Sequence, residues 1–263
     1  MATPPILTTR DLARTFETKR GTVEAVRGVD LTVHPGEILG FLGPNGAGKS
    51  TTLRMLTTLL APTRGTATVA GHDLVREPSQ VRQHIGYVAQ SGGVAPDEPV
   101  RQELIFQGRC HRLAKAEAAE RAQELARALD LEGLLDRKCA ELSGGQRRRL
   151  DIALALVHRP RILFLDEPTT GLDPGSRADL WKLIRRIRAE WHTTVFLTTH
   201  YLDEADELSD RLIIVDGGRV VAEGTPEQLK TRYGGSPQAT LQDTFIAITG
   251  RGPEQEEPAP LAL

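Results

Sequence analysis

One stretch constrains the fold of this chain more than any other: GPNGAGKST, from Gly43 to Thr51. It meets the pattern G-x-x-x-x-G-K-[ST] of a phosphate-binding loop. A strand-like run, Glu37 to Leu42, comes immediately before it, and a run that can form a helix, Ser50 to Leu60, comes immediately after it. A phosphate-binding loop lies between a strand and a helix in this order, so the flanking sequence supports the motif.

The residue types of this loop suit it to hold phosphate oxygens. Its glycines allow backbone conformations that a Cβ disfavours, so successive N–H groups can converge on an anion beside a helix N-terminus. Lys49 is placed to reach the β- and γ-phosphates, and the Ser50 hydroxyl to join a Mg²⁺ shell. We predict nucleotide contacts from Gly43, Pro44, Asn45, Gly46, Ala47, Gly48, Lys49, Ser50 and Thr51. The alternative is a glycine-rich turn with a surface lysine.

Composition permits a large core and narrows the classes of partner. The chain has 263 residues, enough for one domain with a smaller subdomain. Lys and Arg number 33 against 35 Asp and Glu, so no nucleic-acid partner is expected. Cys110 and Cys139 lack metal-ligand neighbours, which favours a reduced compartment. The longest purely apolar stretch, Ile152 to Val157, is too short to span a membrane.

Strand and helix patterns alternate along the chain, which predicts an α/β fold with a mostly parallel sheet. The predicted strands are Ile6–Thr9, Val23–Val33, Glu37–Leu42, Thr66–Ala70, Ile85–Val88, Ile162–Leu165 and Thr194–Thr198, followed by a hairpin of Arg211–Val215 and Arg219–Ala222. We expect a nucleotide-binding domain over residues 1–233 with a helical subdomain at about 95–160, an extension over 234–251 and a disordered tail over 252–263.

Two carboxylates follow a predicted buried strand, at the edge where open α/β sheets place their ligand chemistry. Asp166 is the natural second anchor of a Mg²⁺ shell, usually through water. Glu167 stands one residue further, which turns its carboxylate away from Asp166 and towards an attacking water, as a general base requires. The alternative is an acidic strand end that faces solvent.

The order and spacing of five motifs resemble those of ABC-transporter ATPase subunits. The motifs are GPNGAGKST, LSGGQ at Leu142 to Gln146, ILFLDEP, GLDP at Gly171 to Pro174, and TTH ending at His200. The likeness covers roughly Leu7 to Lys230. It implies a P-loop NTPase core with a mostly parallel sheet, an antiparallel β portion and an inserted helical subdomain.

The resemblance also implies a second subunit. In that family two nucleotide domains pair head to tail. The signature motif of one domain, LSGGQ in this chain, closes over ATP held by the phosphate loop of the other. Ser143, Gly144, Gly145 and Gln146 would contact ATP in this way, and Asp173 corresponds to the aspartate that bridges the subunits. Because every motif occurs once, we expect a homodimer or a pair with a homologous subunit.

Three further roles come from the same resemblance. Phe16 looks like the aromatic on which adenine stacks, with an ordinary buried aromatic as the alternative. Gln90 matches the glutamine that touches Mg²⁺ and the attacking water and senses the membrane partner, and His200 matches the histidine that holds the γ-phosphate. The predicted catalytic residues are thus Glu167, His200, Gln90 and Lys49, and the predicted Mg²⁺ ligands are Ser50, Gln90 and Asp166.

The C-terminal third narrows the branch of the family. Thr198 to Lys230, with Leu241 to Arg251, resembles drug-exporter ATPases of the daunorubicin-resistance type, which are separate chains that dock on an integral-membrane permease. The expected location is therefore cytoplasmic, peripheral on the inner face of the membrane through that permease. The extension from Thr240 to Arg251 fits either a regulator of the permease or a dimer clasp.

Two segments depart from this branch. Ser91-Gly92-Gly93 replaces a more acidic segment, and Pro99 to Glu103 differs from the usual T-V-R-E-N or T-G-R-E-N. Both belong to the region that faces the membrane subunit, so an exporter of lipid, polysaccharide, peptide or ion is an alternative. A non-transport ATPase acting on ribosomes or DNA is less favoured, because such chains usually carry two nucleotide domains or a long coiled coil.

Overall fold

The computed structural model describes residues 3–19 and 21–250. Their strands are β1 (Leu7–Thr18), β2 (Gly21–Val33), β3 (Ile38–Leu42), β4 (Arg64–Val69), β5 (His72–Asp73), β6 (Ile85–Val88), β7 (Ile162–Asp166), β8 (Thr194–Thr199), β9 (Arg211–Asp216) and β10 (Arg219–Gly224). Their helices are α1 (Lys49–Leu56), α2 (Pro78–His84), α3 (Val100–Cys110), α4 (Lys115–Ala128), α5 (Gly144–Leu156), α6 (Pro174–Trp191), α7 (Leu202–Leu208), α8 (Pro226–Tyr233) and α9 (Leu241–Thr249). Within this described part, no helix is both long and apolar enough to cross a bilayer.

The central sheet has the strand order β10-β9-β3-β8-β7-β6. Strands β9, β3, β8, β7 and β6 are parallel, and β10 runs antiparallel to β9. Every residue of β3, β7 and β8 is buried, as expected where both faces of a parallel sheet are covered. The prediction of a mostly parallel α/β sheet is confirmed. Because these neighbouring strands end together, Leu42, Thr199 and Asp166 lie at one edge.

Two apolar cores lie on opposite faces of this sheet. Alternate residues of β7 serve both, since successive side chains of a strand point to opposite faces. Leu163 and Leu165 pack with the helical residues Leu104, Leu125 and Leu150 on one face. On the other face, Phe164 packs in the core that contains residues of β1, β2 and α1. The helices between about 95 and 160 therefore share one core with the sheet that carries the site.

A second, antiparallel sheet has the order β2-β1-β4-β5. It is longer than the sequence predicts, because β1 continues to Thr18 instead of ending at Thr9. Register shifts in its pairing with β2 and a positive φ of 49° at Asp11 interrupt the alternation of polar and apolar residues that marks a strand. The two residues of β5 are too few to leave any periodic pattern.

The C-terminal extension packs against the core. Helix α9 buries Leu241 and Phe245 in a cluster that includes Leu42 at the end of β3 and Leu229 of α8. The side-chain hydroxyl of Thr240 caps the helix by accepting from the Asp243 N–H. The predicted disordered tail, residues 252–263, lies outside the described residues.

Candidate functional site

The phosphate-binding loop joins β3 to α1, as the sequence predicts. Gly48 precedes α1 with a φ of 95°, in the left-handed region that favours glycine. A Cβ there would lie 2.4 Å from the Ala25 carbonyl oxygen, so a side chain would not fit. The cleft beside the loop is lined by Ala25, Pro44, Asn45, Gly46, Ala47, Gly48, Lys49, Ser50, Thr51, Gln90 and Glu167. The fold thus brings the loop together with two catalytic candidates distant in sequence.

The Lys49 side chain is buried and spans the base of the loop. Its ammonium donates to the carbonyl oxygens of Gly43 at 2.8 Å and Pro44 at 3.2 Å. The same nitrogen lies 3.3 Å from Glu167 Oε1. One cation therefore connects the loop backbone to the carboxylate that follows β7.

Asp166 ends β7 and accepts two hydrogen bonds on Oδ1. The Ser50 hydroxyl donates to it at 3.0 Å and the Thr198 hydroxyl at 2.7 Å. A hydroxyl and a carboxylate so close together are hard oxygen donors, which fit Mg²⁺. Among the described residues, no group of three or more His, Cys, Asp and Glu side chains could hold a metal ion. Any Mg²⁺ would therefore need oxygens from a nucleotide or water as well.

Glu167 has a backbone φ of 44°, which is uncommon for a residue with a side chain. Its N–H is held by the Thr198 carbonyl oxygen at 3.1 Å and by the Thr198 hydroxyl at 3.1 Å. Its carboxylate oxygen Oε2 lies 3.2 Å from His200 Nδ1 and accepts from Gln90 Nε2 at 3.2 Å. The structure thus gathers three of the predicted catalytic side chains, Lys49, Gln90 and His200, around the carboxylate of the fourth, Glu167.

The electrostatic surroundings favour the charged form of Glu167. Burial alone would raise the pKa of this carboxyl group, because desolvation disfavours its anion. The hydrogen bond from His200 and the positive charge of Lys49 outweigh that effect, so the pKa lies below its ordinary value. Glu167 is therefore ionised at neutral pH and can accept a proton, as a general base must.

The signature residues, Ser143 to Gln146, are not among the described residues that line this cleft. Ser143 caps the N-terminus of α5, where its hydroxyl accepts from the Gln146 N–H at 3.3 Å and its N–H donates to Gln146 Oε1 at 3.0 Å. This capping box fixes the start of the helix while Ser143 and Gly144 remain exposed. Asp173 is likewise exposed and caps α6, and hydrogen bonds from Ser176 hold the pKa of its carboxyl group below the ordinary value.

Phe16 lies in β1, opposite Val23 of β2. Its ring is half-buried, and the Arg14 guanidinium carbon stacks 4.7 Å from the ring centroid. Phe16 does not line the described cleft at the phosphate loop. Its role as an adenine platform stays a prediction.

Sequence reasoning missed two buried charged residues behind the cleft. Arg148 in α5 donates to backbone carbonyls on either side of Glu167 and before Gln90. Glu204 in α7 is fully buried and accepts from Trp181 Nε1 at 3.2 Å. Neither stands out in the sequence, because Arg148 is the second of three consecutive arginines and Glu204 belongs to an acidic run.

Glu204 gives a pH-dependent prediction for stability. Burial raises the pKa of its carboxyl group in the folded chain, so the folded state binds the proton more tightly than the unfolded state. Its contribution to stability is complete below the unfolded pKa and is lost as pH rises through the folded pKa. Glutamine does not titrate, so Glu204→Gln lacks this loss of stability. As pH rises from about 5 to about 8, the unfolding free energy of the variant should therefore increase relative to that of wild type.

Urea unfolding at both pH values tests this expectation. The matched control is Glu207→Gln on the same helix, because Glu207 is exposed and pairs with Arg185. For this control, the difference in unfolding free energy from wild type should be the same at both pH values. A wild-type chain that gains stability over Glu204→Gln as pH rises would contradict the assignment of a buried, readily protonated carboxyl group.

The fold and the cleft together define the class of protein to which this chain belongs. A loop of this pattern, with a carboxylate pair at the carboxyl edge of a mostly parallel sheet, is the arrangement of P-loop nucleoside triphosphatases. Known proteins place the chain within that class. A family model described as ABC transporter matches residues 26–170, and the chain belongs to that family. Its predicted ABC ATPase nature is confirmed.

Two relatives show how far the similarity extends. The daunorubicin/doxorubicin resistance ATP-binding protein of Streptomyces peucetius is 51% identical over 210 residues, 80% of this chain. The chain spans 63% of the length of that protein. A Nod factor export ATP-binding protein I of Burkholderia lata is 41% identical over 244 residues, 89% of this chain and 80% of that protein.

Solved structures agree on the fold. A dimeric ATP-binding cassette in a post-hydrolysis state, bound to ADP and Pi, matches with a TM-score of 0.75 and 27% identity. The match covers 83% of this chain and 98% of that one. The predicted fold class, a P-loop NTPase core of the ABC ATPase type, is confirmed.

Proposed function

We propose that this chain is the ATP-hydrolysing subunit of an exporter that moves a drug or antibiotic through a separate integral-membrane permease. The observation that carries the hydrolytic part is the position of Glu167, whose carboxylate lies 3.3 Å from Lys49 Nζ and 3.2 Å from both His200 Nδ1 and Gln90 Nε2. A carboxylate held by three side chains beside a phosphate loop is suited to activate water.

The residues divide the work of hydrolysis as follows. The loop N–H groups and the Lys49 ammonium bind the triphosphate, and Phe16 stacks on the adenine. Ser50, Asp166 and Gln90 would hold Mg²⁺, which would neutralise phosphate charge. Glu167 takes a proton from the attacking water, while Gln90 and His200 orient that water and the γ-phosphate. The charged state of Glu167 at neutral pH supports its part in this scheme.

The complete site is shared between two chains. The exposed capping box at Ser143 and the exposed Asp173 lie outside the cleft of their own chain, so they are free to meet a second copy. The N-terminus of α5 there is suited to the γ-phosphate of ATP bound by that copy, with contacts from Ser143, Gly144, Gly145 and Gln146. The dimeric structure of the similar cassette supports a homodimer or a pair with a homologous subunit.

A substitution at the signature tests the shared site. Ser143→Arg places a bulky cation where the partner's nucleotide would approach, so the pure variant should bind ATP but lose turnover by about a hundredfold. Mixing it with Glu167→Gln chains should restore about a quarter of wild-type turnover, because half of the dimers then carry one intact site. ATP hydrolysis by each pure variant and by the mixture gives the result.

The control for charge and bulk is Ser79→Arg, on the exposed face of α2. It should keep wild-type turnover. Full activity of pure Ser143→Arg, or no recovery in the mixture at any protein concentration, would argue against the shared site.

The cargo assignment rests on the relatives. The Streptomyces protein is named for daunorubicin and doxorubicin resistance, which favours a drug or antibiotic. The Burkholderia protein is named for Nod factor export, so an exporter of lipid, polysaccharide, peptide or ion is the second candidate.

In either case the chain lies in the cytoplasm, on the inner face of the membrane through its permease. Its ATPase domain spans residues 1–233, with a helical subdomain at about 95–160 and an extension at 234–251.

Co-purification followed by reconstitution tests this proposal. The tagged chain is recovered from gently solubilised membranes of its own cells, and a co-purifying polytopic protein is placed with it in vesicles. ATP-dependent uptake of daunorubicin, absent with Glu167→Gln chains, is the expected result. ATP-dependent uptake of a labelled lipid or oligosaccharide instead would favour the second candidate. Recovery only with ribosomes or DNA would contradict export.

A further inference from the structure

The Arg148 side chain forms a buried clamp on the backbone behind the cleft. It is 6% exposed and donates three hydrogen bonds to carbonyl oxygens. Nε donates to Pro168 at 2.7 Å, Nη1 to Ala89 at 2.6 Å and Nη2 to Asp166 at 3.0 Å. Each nitrogen of the guanidinium thus holds a different carbonyl, and the planar fork fixes all three relative to one another.

The three carbonyls belong to the two segments that carry the water-activating side chains. Asp166 and Pro168 are the residues on either side of Glu167. Ala89 is the residue before Gln90, whose amide donates to the Glu167 carboxylate at 3.2 Å. The clamp therefore sets the separation of the backbones from which Gln90 and Glu167 project.

The helix that carries Arg148, α5, begins at the signature motif. Arg148 lies on α5, five positions after Ser143, which corresponds to about 7.5 Å along a helix axis. On the same helix, Asp151 Oδ2 lies 3.9 Å from Arg148 Nη1 and packs against Gly92, where an added Cβ would be 2.9 Å from its carboxylate. Through these contacts, a shift of α5 reaches both backbone segments.

We infer that Arg148 is a positioning residue that couples the signature helix to the water-activating pair of the same chain. ATP of the second copy, seated on the N-terminus of α5, would fix the helix, and the helix through Arg148 would fix Gln90 and Glu167. This inference rests on the proposed function, because it takes Glu167 as the general base and the signature as a contact to the partner's nucleotide.

Arginine chemistry explains why this position is sensitive. Lysine has a single nitrogen on a flexible stem and cannot hold three carbonyls in one plane. Methionine keeps the bulk but donates nothing, so all three hydrogen bonds to these carbonyls are lost. A displacement of about 1 Å at a reacting group lowers turnover by about a hundredfold, so loss of the clamp acts on turnover. The contacts of the phosphate loop with ATP are spared, because none of the three carbonyls belongs to that loop, and an ATP dissociation constant measured without Mg²⁺ reports on those contacts.

The test compares Arg148→Met with a second buried arginine that clamps carbonyls elsewhere. Arg121 is 5% exposed and donates to Leu156 O at 2.9 Å and to Val157 O at 3.2 Å, at the far end of α5. Both variants should lower the thermal midpoint. Arg148→Met should also lower kcat about tenfold to a hundredfold with an ATP dissociation constant within about twofold of wild type, whereas Arg121→Met should keep kcat within about twofold.

A double-mutant cycle separates positioning from general damage. In single-turnover reactions, Arg148→Met added to Glu167→Gln should cause a smaller further loss than it causes in the wild-type background, because part of the clamp's effect acts through Glu167. An undiminished loss in that background, or equal kcat values for Arg148→Met and Arg121→Met, would overturn the inference. If Arg148→Met does not fold, Arg148→Lys is measured in the same cycle, with a smaller loss of kcat expected.

The two proposals fail in different ways. Wild-type turnover by Glu167→Gln alone would remove the general base and with it the proposed function. Normal kcat for Arg148→Met beside an inactive Glu167→Gln would remove only the positioning role.

Discussion

Glu167→Gln is expected to bind ATP normally and to lower its turnover by about 10²- to 10⁴-fold, the usual contribution of a general base. Glutamine has the same shape as glutamate but an uncharged amide that takes no proton from water. Its amide can still occupy the position between Lys49, Gln90 and His200. The loop residues that hold the phosphates are unchanged, so binding and hydrolysis should separate.

Steady-state phosphate release and a fluorescent-nucleotide titration measure the two quantities. The matched control is Glu223→Gln, which removes a carboxylate that pairs with Arg211 on the antiparallel edge of the sheet. It should leave both quantities unchanged. Turnover of Glu167→Gln at the wild-type rate would show that another group activates the water.

Lys49→Ala should weaken ATP binding by about a hundredfold or more, since a charge-assisted contact to phosphate is lost. A second effect acts in the same direction. Lys49 is the cation that lies 3.3 Å from Glu167, so its removal leaves this anion facing the phosphates with less compensation. Alanine also removes the donor that ties together the Gly43 and Pro44 carbonyls, which loosens the loop.

Calorimetric titration with ATP gives the affinity directly. Lys230→Ala serves as the control, because Lys230 is another ion-paired lysine with little exposure, held by Asp206 on α7. Its affinity for ATP should equal that of wild type. Normal ATP affinity of Lys49→Ala would count against the phosphate-loop assignment, since no other lysine lines the described cleft.

Local sequence determined the strand, loop and helix around Gly43 to Thr51. The continuous apolar runs of β3 and β7 predict buried parallel strands, and the pattern of the loop predicts its place between a strand and a helix. These features involve residues close together in the chain, where periodicity and glycine content report directly on conformation. The resemblance to ABC ATPases, carried by five short motifs, was confirmed by the family match.

The sequence predicted only in part that Lys49, Gln90 and His200 lie around Glu167. The resemblance assigned Gln90 and His200 to the site, but residue patterns alone say nothing of their distance from Glu167. Those distances follow from the strand order, which sets β6, β7 and β8 side by side so that their carboxyl ends meet. Strand order depends on contacts between segments far apart in sequence, so no local periodicity reports it.

The sequence by itself thus determined the class of fold, the phosphate loop and the identity of the candidate residues. Only the tertiary structure decided which arginine of the run Arg147 to Arg149 is buried, and that it clamps the carbonyls beside Glu167 and Gln90. It also decided that Glu204 is buried with a raised pKa. The reason is that burial depends on the elements packed around a residue, and consecutive residues of one helix point in different directions and so meet different neighbours.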